Sequence, residues 1–270
     1  MISACQEQED IKNINTFDEQ FRSLSKINFE AVDFGTTQFG SNLTIINGQT
    51  YIDSRTLFSK TSEFINGKLF LGNSFSKETI ESLSENFTSF LKNNDGNKQL
   101  LNVISSNKHL SEDQIVLLEP FIEKVLSNNF IDDYMLHVND FNLQIEKSNL
   151  ELERKYELLA ISASIFVISD FLLNGGIETI QNQLGYSDIP NGRVHRCRVN
   201  TRNVFGAAVI SAFATGGVGA YVGATAGSFT VPILGTAAGA VGGGVFGFAS
   251  GFVTGAVLGV AAELLLTCAR

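Results

Sequence analysis

The chain has 270 residues, enough for one or two domains with a sizeable core. Its formal net charge is −9 at pH 7, all of it in residues 1–202, because Glu263 and Arg270 are the sole charges beyond and cancel. Acid in excess without clustered Lys and Arg excludes a nucleic-acid partner and supplies no polybasic stripe for anionic lipid, and the absence of tryptophan removes any Trp belt at a membrane interface.

Taken in order, the chain opens on Ile2-Ser3-Ala4-Cys5, which resembles a bacterial lipobox. The resemblance implies lipidation of Cys5. Gln6-Glu7-Gln8-Glu9-Asp10 looks like the acidic export tag that follows that cysteine in Bacteroidota lipoproteins. Four residues precede Cys5, fewer than the apolar run of about 7–15 residues in a signal peptide. Residues 1–27 read as a tether or short helix, with helical spacing at Phe17, Phe21 and Leu24.

Residues 28–75 are rich in Asn, Thr, Gly and Phe, punctuated by Gly35, Gly40, Gly48, Gly67 and Gly72. Short β-prone runs flank Asn47-Gly48 and Asn66-Gly67, which predicts two hairpins. An irregular wrap over later helices fits equally. From Ser76 the pattern turns helical, with Ile80, Leu83, Phe87 and Phe90 on one face as far as Asn93-Asn94-Asp95-Gly96. Ser111-Glu112-Asp113-Gln114 is a capping box with Leu110 and Ile115 as its staple. It opens a helix through Leu118, Ile122 and Leu126, in which Pro120 predicts a kink. Phe130 to Lys147 is amphipathic, its stripe Ile131, Met135, Val138, Phe141 and Ile145. Ser148-Asn149-Leu150-Glu151 reads as a second capping box. It starts a long helix to Phe171, too polar at Ser162, Ser164, Ser169 and Asp170 for a clear membrane span. Ile177–Leu184 adds a short helix. Residues 28–184 thus form a mainly helical soluble domain, and residues 185–202 a linker with Arg193, His195, Arg196, Arg198 and Arg202.

The last segment, residues 203–270, is of a different kind. Gly235, Gly239, Gly243, Gly247, Gly251, Gly255 and Gly259 recur every four residues. Gly219, Gly223 and Gly227 repeat the spacing upstream, beside a row of Ala208, Ala212, Gly216, Ala220 and Ala224. Glycine costs a helix in water about 1 kcal/mol relative to alanine. In lipid the helix is enforced by its own hydrogen bonds, and small residues let two backbones interlock. Gly235 to Gly259 is 25 residues, about 36 Å of helix against a hydrocarbon core of about 30 Å. Val204 to Phe229 is equally long, and Pro232 separates the two. The pattern predicts a helical hairpin that packs into a membrane. A four-residue step overshoots the helical turn by about 40°, so either the two helices cross right-handedly or the second is contacted on several sides, in homo-oligomers or as a sandwiched helix. The competing reading buries the same hairpin inside a soluble fold.

A hairpin brings its two ends together, so Cys197 and Cys268 are expected to form a disulfide, in an oxidising compartment. Unpaired thiols are the alternative. No chemistry-bearing motif stands out. His109, His137 and His195 are scattered, with no metal-ligand spacing, and there is no phosphate loop, dinucleotide motif or nucleophile elbow. The carboxylate pairs Glu112-Asp113 and Asp132-Asp133 fall at helix starts, where acids complement the dipole. Glu263, alone in the apolar tail, lines a pore or marks where the helix leaves the membrane. No cofactor or metal is expected, and the chain is read as a non-enzyme.

Gly219 to Gly259 resembles a glycine-zipper domain, found in membrane-anchoring outer-envelope proteins and pore-forming bacteriocins. The layout of lipobox, acidic tag, Asn-rich helical domain and glycine-rich tail is similar to uncharacterised Bacteroidota lipoproteins. The expected fold class is mainly α, with a little β-hairpin and a C-terminal glycine-zipper hairpin. The resemblance implies a secreted, outer-membrane or cell-surface protein, not a cytoplasmic one. Its hairpin would meet membrane lipid, as a bacteriocin-like pore former. The alternative is a structural envelope lipoprotein whose helical domain binds a partner.

Overall fold

The computed structural model describes residues 17–46, 49–69, 81, 109–127, 130–186, 199–226, 229–231, 235–237 and 239–268. Over these residues the fold is mainly helical, with eight helices. Helix α1, Phe17–Ser41, buries Leu24, Ala31, Val32, Gly35 and Phe39 at spacings of three, four and seven. It runs unbroken across residue 27 and through Gly35. The expected punctuation there is replaced by a close approach: a Cβ on Gly35 would lie 3.6 Å from a Val253 methyl. Strands β1, Leu43–Ile46, and β2, Gln49–Ile52, pair antiparallel with Leu43 opposite Ile52.

Helix α2, Ser54–Leu69, overturns the second expected hairpin, because Asn66-Gly67 lies inside it. Leu57, Phe58, Thr61, Ser62 and Ile65 are all buried, a helical face whose packing outweighs the turn preference of Asn-Gly. β structure forms no layer of the core among the described residues.

Helix α3, Glu112–Val125, begins at the predicted capping box, with Ser111 accepting from the Gln114 N–H and Gln114 reaching back. It continues past Pro120. A 3-10 turn at Phe130–Asp133 leads into helix α4, Tyr134–Lys147, which buries Val138, Phe141 and Ile145. Met135, predicted in that stripe, is instead 48% exposed. The second capping box is also corrected. The Ser148 hydroxyl donates to the Ile145 carbonyl at the end of α4, and helix α5, Leu152–Leu173, starts at Glu151 without a side-chain cap. Helix α6, Gly176–Gln183, follows a left-handed Gly175 at φ +93°. The helix read from Ser76 lies outside the described residues, Glu81 excepted.

Helix α7, Thr201–Ala226, and helix α8, Gly239–Cys268, form the long hairpin. Between them Phe229–Val231 (β3) pairs antiparallel with Gly235–Ala237 (β4). Gly235 is therefore in a strand and not in the helix it was expected to open. Thr230, Val231 and Thr236 are β-branched and favour the extended ribbon. Helix α8 is the centre of the molecule. It packs on α7, α5, α2, α1 and α6, and every residue from Gly243 to Ala261 is buried.

Candidate functional site

Four glycines of the predicted row bring α8 against α7. The packing is antiparallel. A Cβ on Gly259 would lie 3.2 Å from Val204 Cα, on Gly255 2.8 Å from Ala208 Cα, on Gly251 2.5 Å from Ala212 Cα, and on Gly247 2.8 Å from Gly216 Cα. Real Cβ atoms do not fit at three of these separations, so backbone meets backbone. Three of the partners on α7, Ala208, Ala212 and Gly216, are small residues of its own row, and the fourth is Val204. Thr215 adds a polar tie: its hydroxyl donates to the Gly247 carbonyl at 2.6 Å, shared with the Ser211 carbonyl of its own turn at 2.7 Å. Phe248 lays its ring over Gly216. Gly243 is buried in α8, Gly239 is its first residue, and Gly219 and Gly223 lie within α7. Gly227 lies outside the described residues.

Around this pair the other helices form a sheath. On one side Leu24, Ala31 and Val32 of α1, Ile65 of α2 and Ala160, Ala163 and Val167 of α5 pack on Val245, Phe246, Ala249 and Val253 of α8. Each fully buried Phe or Val on α8 contributes roughly 1.5–3 kcal/mol, so the sheath supplies α8 with its apolar surroundings. Polar pairs pin α1 to α5: Gln20 donates to the Tyr156 hydroxyl at 2.6 Å and Asn28 to the Ser164 hydroxyl at 3.0 Å. Among the described residues five buried hydroxyls have no hydrogen-bond partner, Ser25 on α1, Ser211 on α7, Thr254 on α8 and Thr61 and Ser62 on α2. Each leaves a desolvation cost of about 1–3 kcal/mol in the closed state.

At the open end of the hairpin, Glu263 has a definite task. Its carboxylate accepts from the Asn200 backbone N–H at 3.1 Å and from the Asn203 amide at 2.7 Å. It therefore serves the donor-rich start of α7 from the neighbouring helix. Neither the pore reading nor the exit-marker reading of Glu263 included this contact. Cys268 is 9% exposed. It is the one cysteine among the described residues, so no disulfide joins two of them. Cys5 and Cys197, with Arg193, His195, Arg196 and Arg198, lie outside.

The sequence did not single out the one charged cluster that touches α8. Glu157 on α5 is fully buried, the only charged side chain among the described residues that is. His109 Nε2 meets its Oε1 at 2.7 Å. Its Oε2 accepts from Gln114 Nε2 at 2.8 Å and Arg154 Nη1 at 3.1 Å. Arg154 also donates to the His109 carbonyl at 3.1 Å, and Gln114 to the Arg154 carbonyl at 3.1 Å. A buried carboxylate with three donors is satisfied; with one removed it becomes costly. Gly244 of α8 passes directly beneath, where a Cβ would lie 2.9 Å from His109 Nε2. The available signal was weak: the last acid of a charged stretch, three residues after Arg154 and directly before the apolar run that starts at Leu158. No group of three His, Cys, Asp or Glu among the described residues is placed to hold a metal.

Comparison of the chain with protein-family models, with curated proteins and with solved structures returned no match.

Proposed function

We propose that the α7–α8 hairpin is the working part of the protein, and that it leaves its helical sheath to enter a lipid bilayer. The observation that carries this is the position of α8. A helix apolar on all faces is sheathed by four amphipathic or mixed helices, while its backbone-to-backbone contact is with α7 alone. The hairpin can therefore part from the sheath without losing its own tightest interface. Gly243–Cys268 is 26 residues, long and apolar enough to span a bilayer, with 94% of its most apolar window buried. Leu152–Leu173 passes the same test of length and hydropathy. In lipid, the unpaired hydroxyls of Ser211 and Thr254 would find partners on a second hairpin, which favours homo-oligomers and pore formation. Cys268 would pair with Cys197, which lies three residues before Asn200 at the same hairpin mouth. Lipidation at Cys5, a glycine-zipper identity and a surface or secreted location belong to the same reading.

A second reading draws on the exposed apolar residues Val116 on α3 and Leu136 and Leu143 on α4. They offer a face for a protein partner, as a structural envelope lipoprotein requires.

Purified protein mixed with dye-loaded liposomes, oxidised and reduced, separates the two. Dye release with flotation is the expected outcome. Flotation without release supports the anchored structural protein. Neither would place α8 as an ordinary core helix and end the membrane reading.

A further inference from the structure

We infer that the Glu157 cluster is a charge-dependent latch that keeps α8 in its sheath, an inference that rests on the hairpin-release reading above. The cluster joins three parts of the sheath at one buried carboxylate: the segment at His109, α3 through Gln114, and α5 through Glu157 and Arg154. The His109 ring then bears on α8 at Gly244, which has no side chain to keep it away. The groups facing Glu157 are Arg154 from α5, His109 from the segment before α3 and the neutral amide of Gln114 from α3. Helix α8 presents only Gly244 there, and the adjacent Tyr156 is tied to Gln20 of α1.

The Glu157 carboxylate is the anion that gathers this site. Without its charge, the donors of Gln114 and Arg154 and the His109 ring lose the group that draws them together, at a site the protein excludes from water. The contact of the His109 ring with α8 at Gly244 depends on that gathering. Nothing else on the described length of α8 facing the sheath carries a charge, so this is where charge gains a hold on the hairpin.

Hydrogen exchange of the full chain at neutral pH, followed by mass spectrometry, tests the latch. Glu157→Gln imitates the protonated carboxyl at nearly constant volume. It is expected to raise amide exchange in α8 around Gly244 by about tenfold or more, with a smaller change in α4. Should Glu157→Gln not fold, Arg154→Gln removes one donor from the rim of the cluster and is expected to give the same selectivity at smaller amplitude. Exchange that rises equally in α8 and α4, or in neither, would overturn the latch. Flotation on vesicles of phosphatidylglycerol and phosphatidylcholine is read in parallel. Selective exchange without flotation keeps the latch and ends hairpin insertion. Flotation with unselective exchange does the reverse.

Discussion

Asp53 sets where α2 begins. One carboxylate oxygen accepts the Thr56 N–H at 3.1 Å and the other accepts the Thr56 hydroxyl at 2.6 Å. The hydroxyl bond first, then the backbone N–H, hold the Asp53 carboxyl below its ordinary value of 3.8. A carboxyl with a depressed folded value contributes stability that is fully present above the unfolded value and is lost as pH falls through the folded one. Asp53→Ala is therefore expected to cost about 1 kcal/mol at neutral pH. The gap between variant and wild type should close as pH drops below 3.8, within the window this carboxyl titrates in. Thermal melts of both proteins across that range check it; a gap that does not vary with pH would remove the charge from the account. Glu263 works by the same physics over a longer distance, since it serves the N–H of Asn200 from 63 residues away. Position in sequence offered a pore lining or a marker of the membrane exit. Its role becomes visible only when the hairpin closes.

For the elements, the question is which glycines are structural. Gly251 and Gly67 are both helical, yet their surroundings are opposite. A Cβ on Gly251 would meet the Ala212 Cα at 2.5 Å and the Ser211 carbonyl, and backbone cannot step aside as a side chain can. Gly251→Ala is expected to push α7 and α8 apart and destabilise by about 2 kcal/mol or more. Gly67→Ala has nothing within 4 Å and should stabilise α2 by about 0.5–1 kcal/mol through the unfolded chain. Denaturant titration of the two variants reads both signs, and a stabilised Gly251→Ala would refute the backbone contact. The same comparison explains what the sequence disclosed. A four-residue row of small residues is a local signature of close helix pairing, so the α7–α8 contact was legible. The Ser111 box and the α4 stripe at Val138, Phe141 and Ile145 were legible for the same local reason. Gly35 and Gly67 misled, because glycine signals a turn when read alone. Gly35 serves as a docking point only once Val253 is opposite it. The Glu157 site was hidden by distance, its partners His109 and Gln114 lying 48 and 43 residues away.

At the scale of the molecule, an acidic shell and an apolar hairpin share one chain, and the hairpin's loose end must be secured. The Glu263 contacts to Asn200 and Asn203 secure it, and the buried Cys268 ends α8 there. The proposed Cys197–Cys268 disulfide would close a loop of about 70 residues and contribute roughly 4 kcal/mol by restricting the unfolded chain. It would restrict α7 and α8 relative to each other and leave the sheath free to move, so release of the hairpin as a unit needs no reduction. Titrating free thiols in denaturant without reductant should find one of the three cysteines reactive. Peptide mapping should then join the Cys197 and Cys268 fragments, and Cys197→Ser should lower stability where Cys5→Ser does not. Reduction is expected to lower the melting temperature while the hydroxyl and glycine contacts between α7 and α8 persist, because neither depends on sulfur. Three reactive thiols would refute the bond, and a Cys5–Cys268 fragment would instead tie the start of the chain to the hairpin mouth. In that case α1 would stay tethered to the hairpin through the residues that precede it, and a released hairpin would carry the start of the chain with it.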